Sequence, residues 1–399
     1  MARILIAWEF SAHLGHLAQL LPIAARLRAK RHQVVFAVGD VTRAEDVLGR
    51  HGFEYLQAPV WHERRTRPST VPCSYSEILQ QNGYADREGL VGMLKAWREI
   101  YRLVDPQAVL FDHAPTGLLA SRGFEWARLL CGVGFCSPPR VSPFPNFRTW
   151  EEVSQERLER SDGQVLATIN GALEKLRLRR LGATHELFNV DEEFLCTFPE
   201  LDHYGTRPEA SYCGPVYTRD EGAEPIWPQQ GQKRVYVYLR PEARAFAAVG
   251  EMLSDSAHSV LWLAPGITEK TARRYQNPRL KFLREPVRLA DVATGADAAM
   301  LSGSHGTVSA ILLAGMPMAL LPVRVEQSLV AHNVVRLGAA VMAAPQAPIG
   351  EVRESLAAVL EEARFKESAR SFAVRYARHD PQKTVAKIAR RISSYCGTA

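Results

Sequence analysis

The sequence predicts an α/β protein built from two doubly wound, Rossmann-like domains. Three observations carry this. Residues 3–38 run as an apolar stretch, a loop, an amphipathic stretch and a second apolar stretch, the order of a β-loop-α-β unit. The same order returns at 298–323, now with a glycine-rich turn between strand and helix. Between the two lies 218–232, rich in Glu, Pro, Gln and Gly, which has the composition of a linker.

The bulk properties agree with this reading. At 399 residues the chain can hold two domains of about 200 residues each. Its 46% hydrophobic and 23% charged content is ordinary for a soluble globular protein. The net charge of +6 comes without a dense Lys/Arg block, which argues against nucleic-acid binding. A mildly basic surface suits an anionic donor or a membrane-associated acceptor, so peripheral membrane contact stays open. The six cysteines are scattered, show no zinc spacing, and place Cys131 and Cys136 too far apart for a CxxC pair. Reduced thiols in a cytoplasmic protein are expected. No apolar run reaches about 18 residues, so no membrane span is expected. Ala2–Trp8 is strand-like from the outset and lacks the apolar core of a signal peptide.

In order along the chain, Arg3 to Trp8 reads as a buried first strand. Gly15-His16 then opens a helix, with Leu17, Leu20, Leu21, Ala24 and Leu27 at helical spacing. Pro22 is tolerable there in a first turn or at a kink. His32 to Val38 reads as the second strand. The loop between them lies at the carboxyl edge of the sheet, where doubly wound folds bind ligands. Residues 61–100 read as irregular and then helical, and Trp61, Arg64 and Arg65 could line an acceptor groove or simply belong to a solvated loop. Ala108 to Phe111 is a short apolar strand ending in Asp112-His113, and Thr116 to Leu130 reads as helical. Residues 138–150 hold four prolines with Phe144, Phe147 and Trp150, the composition of a long loop that either shapes a pocket or covers a core. Residues 151–182 read as a charged pair of surface helices.

The second half opens with a period-two strand over Arg234 to Leu239, followed by Arg240-Pro241. Val260 to Ala264 and Leu280 to Leu283 are further strands, the latter leading into Glu285-Pro286-Val287. Ala298 to Leu301 is a buried strand, and Ser302-Gly303-Ser304-His305-Gly306-Thr307 a small turn. Val308 to Ala314 is helical and stopped by Gly315 with Pro317 beyond. Met318 to Val323 is another strand, followed by Glu326-Gln327 and a helix, and 351–395 reads as helical. A strand, glycine turn and helix make an anion site, because the first N–H groups of a helix lack internal partners and glycine lets a phosphate approach. An ordinary tight turn is the competing reading of that motif alone.

The stretch 300–340 resembles the donor-binding signature of the family 1 glycosyltransferases, especially the bacterial macrolide-type branch. Gly303, Ser304, Gly306, Thr307, Gly315, Pro317, Pro322 and Glu326-Gln327 fall in step with it. The family's leading His is Ser302 here, with His305 three positions on, and the ribose-holding Glu of many plant members is Ala310. Gly15-His16 with His32-Gln33-Val34 is similar to the family's N-terminal motif, although Gln19 and Arg31 depart from it. Gly214-Pro215 resembles the family's Gly-Pro before the interdomain linker. Arg240-Pro241 stands where the family usually has Gly-Ser.

The resemblance implies the GT-B fold, two Rossmann-like domains facing across a cleft, with a C-terminal helix crossing back to the first. The domains expected are 1–217 for the acceptor, a linker at 218–232, 233–380 for the nucleotide-sugar, and the returning helix at 381–399. It implies an inverting hexosyltransferase that moves a hexose from a UDP- or dTDP-sugar to a hydroxyl of a small, hydrophobic, natural-product-like acceptor.

Such transfer needs a base for the acceptor proton, an aligned anomeric carbon and a stabilised diphosphate. His16 is the candidate base, oriented by Asp112 in the manner of a triad whose serine is the acceptor hydroxyl. His13 and His113 are local rivals. Donor contacts are expected from Arg240, Val287, Ser302, Gly303, Ser304, His305, Gly306, Thr307, Glu326 and Gln327. Arg240 could contact phosphate or be a plain surface arginine, and Glu326 could simply favour a helix N-terminus. His13, Trp61 and Phe144 are the acceptor-side candidates. No Asp-x-Asp motif is present, so no metal and no cofactor beyond the co-substrate is expected. The expected partners are the two small-molecule substrates, with a monomer or homodimer. Two rival functions are a nucleotide-sugar epimerase and a degenerate partner protein that has lost donor binding.

Overall fold

The computed structural model describes residues 1–10, 15–61, 70–216, 222–344 and 346–397. The chain divides into two compact units, Met1–Tyr217 with Asp380–Ala399, and Thr218–His379.

In the first unit the elements are β1 (Arg3–Trp8), α1 (Gly15–Ala29), β2 (Gln33–Val38), α2 (Val41–Val47), β3 (Glu54–Gln57), α3 (Tyr75–Leu79), α4 (Arg87–Val104), β4 (Ala108–Phe111), α5 (Pro115–Ala120), β5 (Ala127–Gly132), α6 (Gln155–Lys175) and β6 (Glu192–Leu195). The strands form one parallel sheet in the order β3-β2-β1-β4-β5-β6. β1 is buried from Ile4 to Trp8 without alternation, as expected of a parallel strand covered on both faces. α1 buries Leu17, Leu20, Ala24 and Leu27 of the expected stripe, and Ile23 as well, whereas the expected Leu21 is only partly buried. Pro22 lies inside α1 and the helix continues through it.

Two local expectations fail. The stretch 116–130 is not one helix. α5 ends at Ala120, Gly123 turns at φ +84°, and β5 follows. An apolar run of this length carries no period that separates a helix from a buried strand; insertion between β4 and β6 decides it. Residues 151–182 hold one helix rather than two. α6 starts at a Ser154 cap, and the chain leaves it near Arg177, at φ +55°.

In the second unit the elements are β7 (Arg234–Tyr238), α7 (Phe246–Ser254), β8 (Ser259–Leu263), α8 (Glu269–Arg274), β9 (Leu280–Leu283), α9 (Leu289–Gly295), β10 (Ala298–Leu301), α10 (His305–Leu313), β11 (Met318–Leu320), α11 (Val325–Arg336), β12 (Ala340–Met342), α12 (Ile349–Glu361) and α13 (Ala363–Arg375). This sheet is also parallel, in the order β12-β11-β10-β7-β8-β9. The described part of 218–232 lies along this unit. Ala223 bridges to Val287 and the Gln232 N–H bonds Ala257 O. A Cβ on Gly231 would stand 2.4 Å from Ser259 N, so that contact needs glycine.

α14 (Pro381–Tyr395) belongs to the first unit. Its Val385, Ile388, Ala389 and Ile392 join the core that holds Leu17, Leu20 and Leu27. His32 Nε2 and Ser393 Oγ meet at 3.0 Å. No helix among the described residues is long and apolar enough to cross a membrane.

In each sheet the first strand of the unit pairs with the fourth, β1 with β4 and β7 with β10. The chain leaves these two strands in opposite directions across the sheet. Their carboxyl ends therefore border a crevice, the place where open α/β sheets take ligands.

Candidate active site

In the first unit both sides of that crevice carry titratable groups. β1 ends at Trp8, and His16 is the second residue of α1. β4 ends at Phe111, and Asp112 follows, its N–H held by Ala7 O at 2.9 Å. His16 Nδ1 and Asp112 Oδ2 are 2.9 Å apart. Asp112 is fully buried, whereas the His16 side chain keeps 18% of its exposure. A buried carboxylate accepts a proton-bearing nitrogen, so Nδ1 carries the hydrogen and Nε2 keeps its lone pair.

His113 comes next, at φ +48°, in the left-handed region. Its ring stacks on His16, with centroids 5.9 Å apart. Trp8 stacks on His16 at 5.6 Å. Burial pushes the His113 imidazole down to about 3, with the neighbouring His16 adding to the effect, so it stays neutral near pH 7. Glu9, just past β1, is buried as well. Its Oε2 accepts the Thr116 and Gly117 N–H groups at 3.0 and 3.1 Å, in the first turn of α5. Burial pushes its carboxyl up to about 7, only partly opposed by those hydrogen bonds.

In the second unit β10 runs into Ser302, Gly303 and Ser304, and α10 begins at His305. His305, Gly306 and Thr307 are therefore the first turn of the helix rather than part of a loop. The Ser304 side chain makes no capping bond, and the start of a helix is where an anion is favoured. Gly303 has φ +90°, and a Cβ there would lie 3.1 Å from Gln327 O. The turn thus rests on the start of α11. Burial lowers His305 to about 4, so it adds no charge at pH 7. The register pairs Leu301 with Tyr238, which sets exposed Arg240, two residues past β7, beside the 302–304 turn at the same sheet edge. Gln327 Oε1 accepts the Val323 N–H at 3.0 Å. No group of three or more His, Cys, Asp or Glu residues that could hold a metal ion is found among the described residues.

No family model and no curated protein sequence matches the chain. Solved structures do. The calicheamicin glycosyltransferase CalG4 matches with a TM-score of 0.74 at 18% identity, over 100% of this chain and 98% of that one. The spinosyn rhamnosyltransferase SpnG complexed with thymidine diphosphate matches at 0.68 and 17%, over 97% and 99%. The glycosyltransferase VinC in complex with dTDP matches at 0.66 and 16%, over 99% of both chains. The chain has the GT-B fold.

Within this GT-B chain the geometry sorts the expected residues. His16 and Asp112 meet. Ser302 to Thr307, Glu326 and Gln327 share the carboxyl edge of β10 and β11, with Arg240 beside them. Val287 is largely buried with its backbone flanked by Ala223, and it lines a cavity together with Ala223, Ile226 and Glu285. Phe144 is fully buried against Tyr75 and Phe188. Trp61 lies over Gly83 and Gly89, where added Cβ atoms would overlap its ring. Its indole is thus seated on the turn before α4 and the first turn of α4. His13, Arg64 and Arg65 lie outside the described residues. Trp8 and Glu9 were not among the expected residues. Nothing in a strand-end Trp-Glu pair distinguishes a site from a core until the neighbouring strand is known.

Proposed function

We propose that this protein is a family 1-like glycosyltransferase that moves a hexose, with inversion, from a UDP- or dTDP-sugar to a hydroxyl of a small hydrophobic acceptor. The observation that carries the reading is the His16–Asp112 pair at the β1/β4 switch point. The full-length likeness to CalG4, SpnG and VinC supports it, and the diphosphates bound to SpnG and VinC favour a thymidine or related donor. Acceptor binding is placed in the first unit and donor binding in the second.

In this reading His16 Nε2 accepts the acceptor's hydroxyl proton, and Asp112 stabilises the imidazolium that forms. The freed oxygen pair attacks the anomeric carbon. The bond from that carbon to the diphosphate oxygen breaks on the opposite face, which inverts the centre. The leaving diphosphate carries the negative charge to the first turn of α10, with Arg240 as a further cation. Glu326 and Gln327 hold sugar hydroxyls. The helix terminus and Arg240 take the place of a metal, so transfer should survive a chelator.

The test is titration of the purified chain with uridine and thymidine diphosphates, followed by incubation of the corresponding sugars with hydroxylated polycyclic acceptors. Binding of one diphosphate and acceptor-dependent release of it are expected. If neither diphosphate binds the folded protein, the reading fails.

A further inference from the structure

Two rings stack on His16 at the β1/β4 edge, and their surroundings are costly. Trp8 and His113 each stack on His16, with centroid spacings of 5.6 and 5.9 Å and interplanar angles of 24° and 26°. The Trp8 indole N–H and the His113 Nε2 are both shut off from solvent, with no hydrogen-bond partner. A buried polar atom without a partner is uncommon and calls for a reason. His113 also holds φ +48°, a conformation that few residues other than glycine adopt. Two unpaired polar atoms and one left-handed residue thus accompany the two rings stacked on His16.

We propose that Trp8 and His113, each stacked on the His16 ring, act as a clamp that holds its plane and stabilises its protonated form during turnover. They are positioning residues, and the proposal rests on the transfer reading. Asp112 fixes one nitrogen of His16, and the two flanking rings fix its plane. A cation over an aromatic face within about 6 Å is attracted to it, most strongly for indole. Both flanking centroids lie inside that distance. The clamp works only if His113 itself stays uncharged, since a second imidazolium would repel the first. Its burial among Phe10, Tyr75 and Phe135 ensures this. Among the described residues, the titratable groups in contact with His16 include Asp112 and His113 past β4, with Tyr75 on α3 against His113 in turn; His13 lies outside the described residues.

The test follows the His16 imidazole by NMR titration in the full chain, its signal identified by loss in His16→Gln. Trp8→Phe keeps a π face, and Trp8→Leu keeps the apolar burial without one. His113→Asn tolerates the left-handed backbone and removes the ring; His113→Phe keeps a ring. The clamp predicts that His16 titrates lower by about 0.4 to 1.5 pH units in Trp8→Leu than in Trp8→Phe. A smaller shift of the same sign is expected between the two His113 variants. The acid limb of the pH profile of kcat/KM should move with it. Equal or higher titration points in the ring-free variants overturn the proposal, and either pair of variants suffices if the other does not fold. If the shift appears while no donor is turned over, the clamp stands and the transfer reading fails.

Discussion

His16 Nδ1 and Asp112 Oδ2 lie 2.9 Å apart although 96 positions of chain separate the two residues. The contact exists because β1 and β4 are sheet neighbours. Asp112→Asn keeps the size of the side chain but supplies no charge to an imidazolium. We expect transfer to fall by about 10²–10⁴, with nucleoside diphosphate affinity unchanged. His16→Ala should cost a similar factor, and the double variant little more, because the pair acts as one unit. Turnover rates and calorimetric titration of the diphosphate check this.

Gly303 should be sensitive to the smallest substitution. Gly303→Ala forces a side chain into φ +90° and puts its Cβ 3.1 Å from Gln327 O, a backbone atom that cannot swing away. We expect a stability loss of about 1–3 kcal/mol and at least a tenfold weaker diphosphate affinity, as the turn shifts off α11. Thermal melting and calorimetry read the two effects separately.

Glu9 links stability to pH. Its carboxyl is raised to about 7 in the folded chain from an ordinary 4.5. Between those values the folded state binds the proton that the unfolded state has released. The contribution of this group is therefore full below about 4.5 and is lost as pH rises through 7. Glu9→Gln should flatten that decline, so that the wild-type advantage, on the order of 1–3 kcal/mol at pH 5, shrinks by pH 8. His113 and His305 act in the opposite sense. Their folded values of about 3 and 4 make stability rise with pH up to the ordinary histidine range. The difference between wild type and Glu9→Gln in urea unfolding across pH 5–8 isolates the glutamate.

The last helix should be indispensable to the first unit. Ile388 on α14 is fully buried in the core with Leu17 and Leu27. Ile388→Ala should destabilise that unit by about 2–5 kcal/mol. An equal change at exposed Val374 on α13 should stay within about 0.5 kcal/mol. Urea midpoints of the full chain test the contrast.

Much of the architecture was legible because it depends on local signals. Buried parallel strands such as Ile4–Trp8 are continuous apolar runs, and α1 repeats apolar residues at helical spacing. Gly303 marks a backbone position that other residues avoid. Failures came where the local signal is degenerate. Ala127–Gly132 reads equally well as helix or strand, and only its place between β4 and β6 makes it a strand.

By itself the sequence determined two doubly wound units, the turn after Leu301, Asp112 at a strand end and His16 at the start of the first helix. Those follow from periodicity, glycine placement and the chemistry of single residues. Only the tertiary structure decided which strand ends are neighbours, which brings the expected His16–Asp112 pair together and sets the Trp8 and His113 rings against His16. It also decided that Phe144 is buried among other rings and that α14 completes the first core. Strand order and solvent exclusion are properties of the whole packed chain, and no window of sequence carries them.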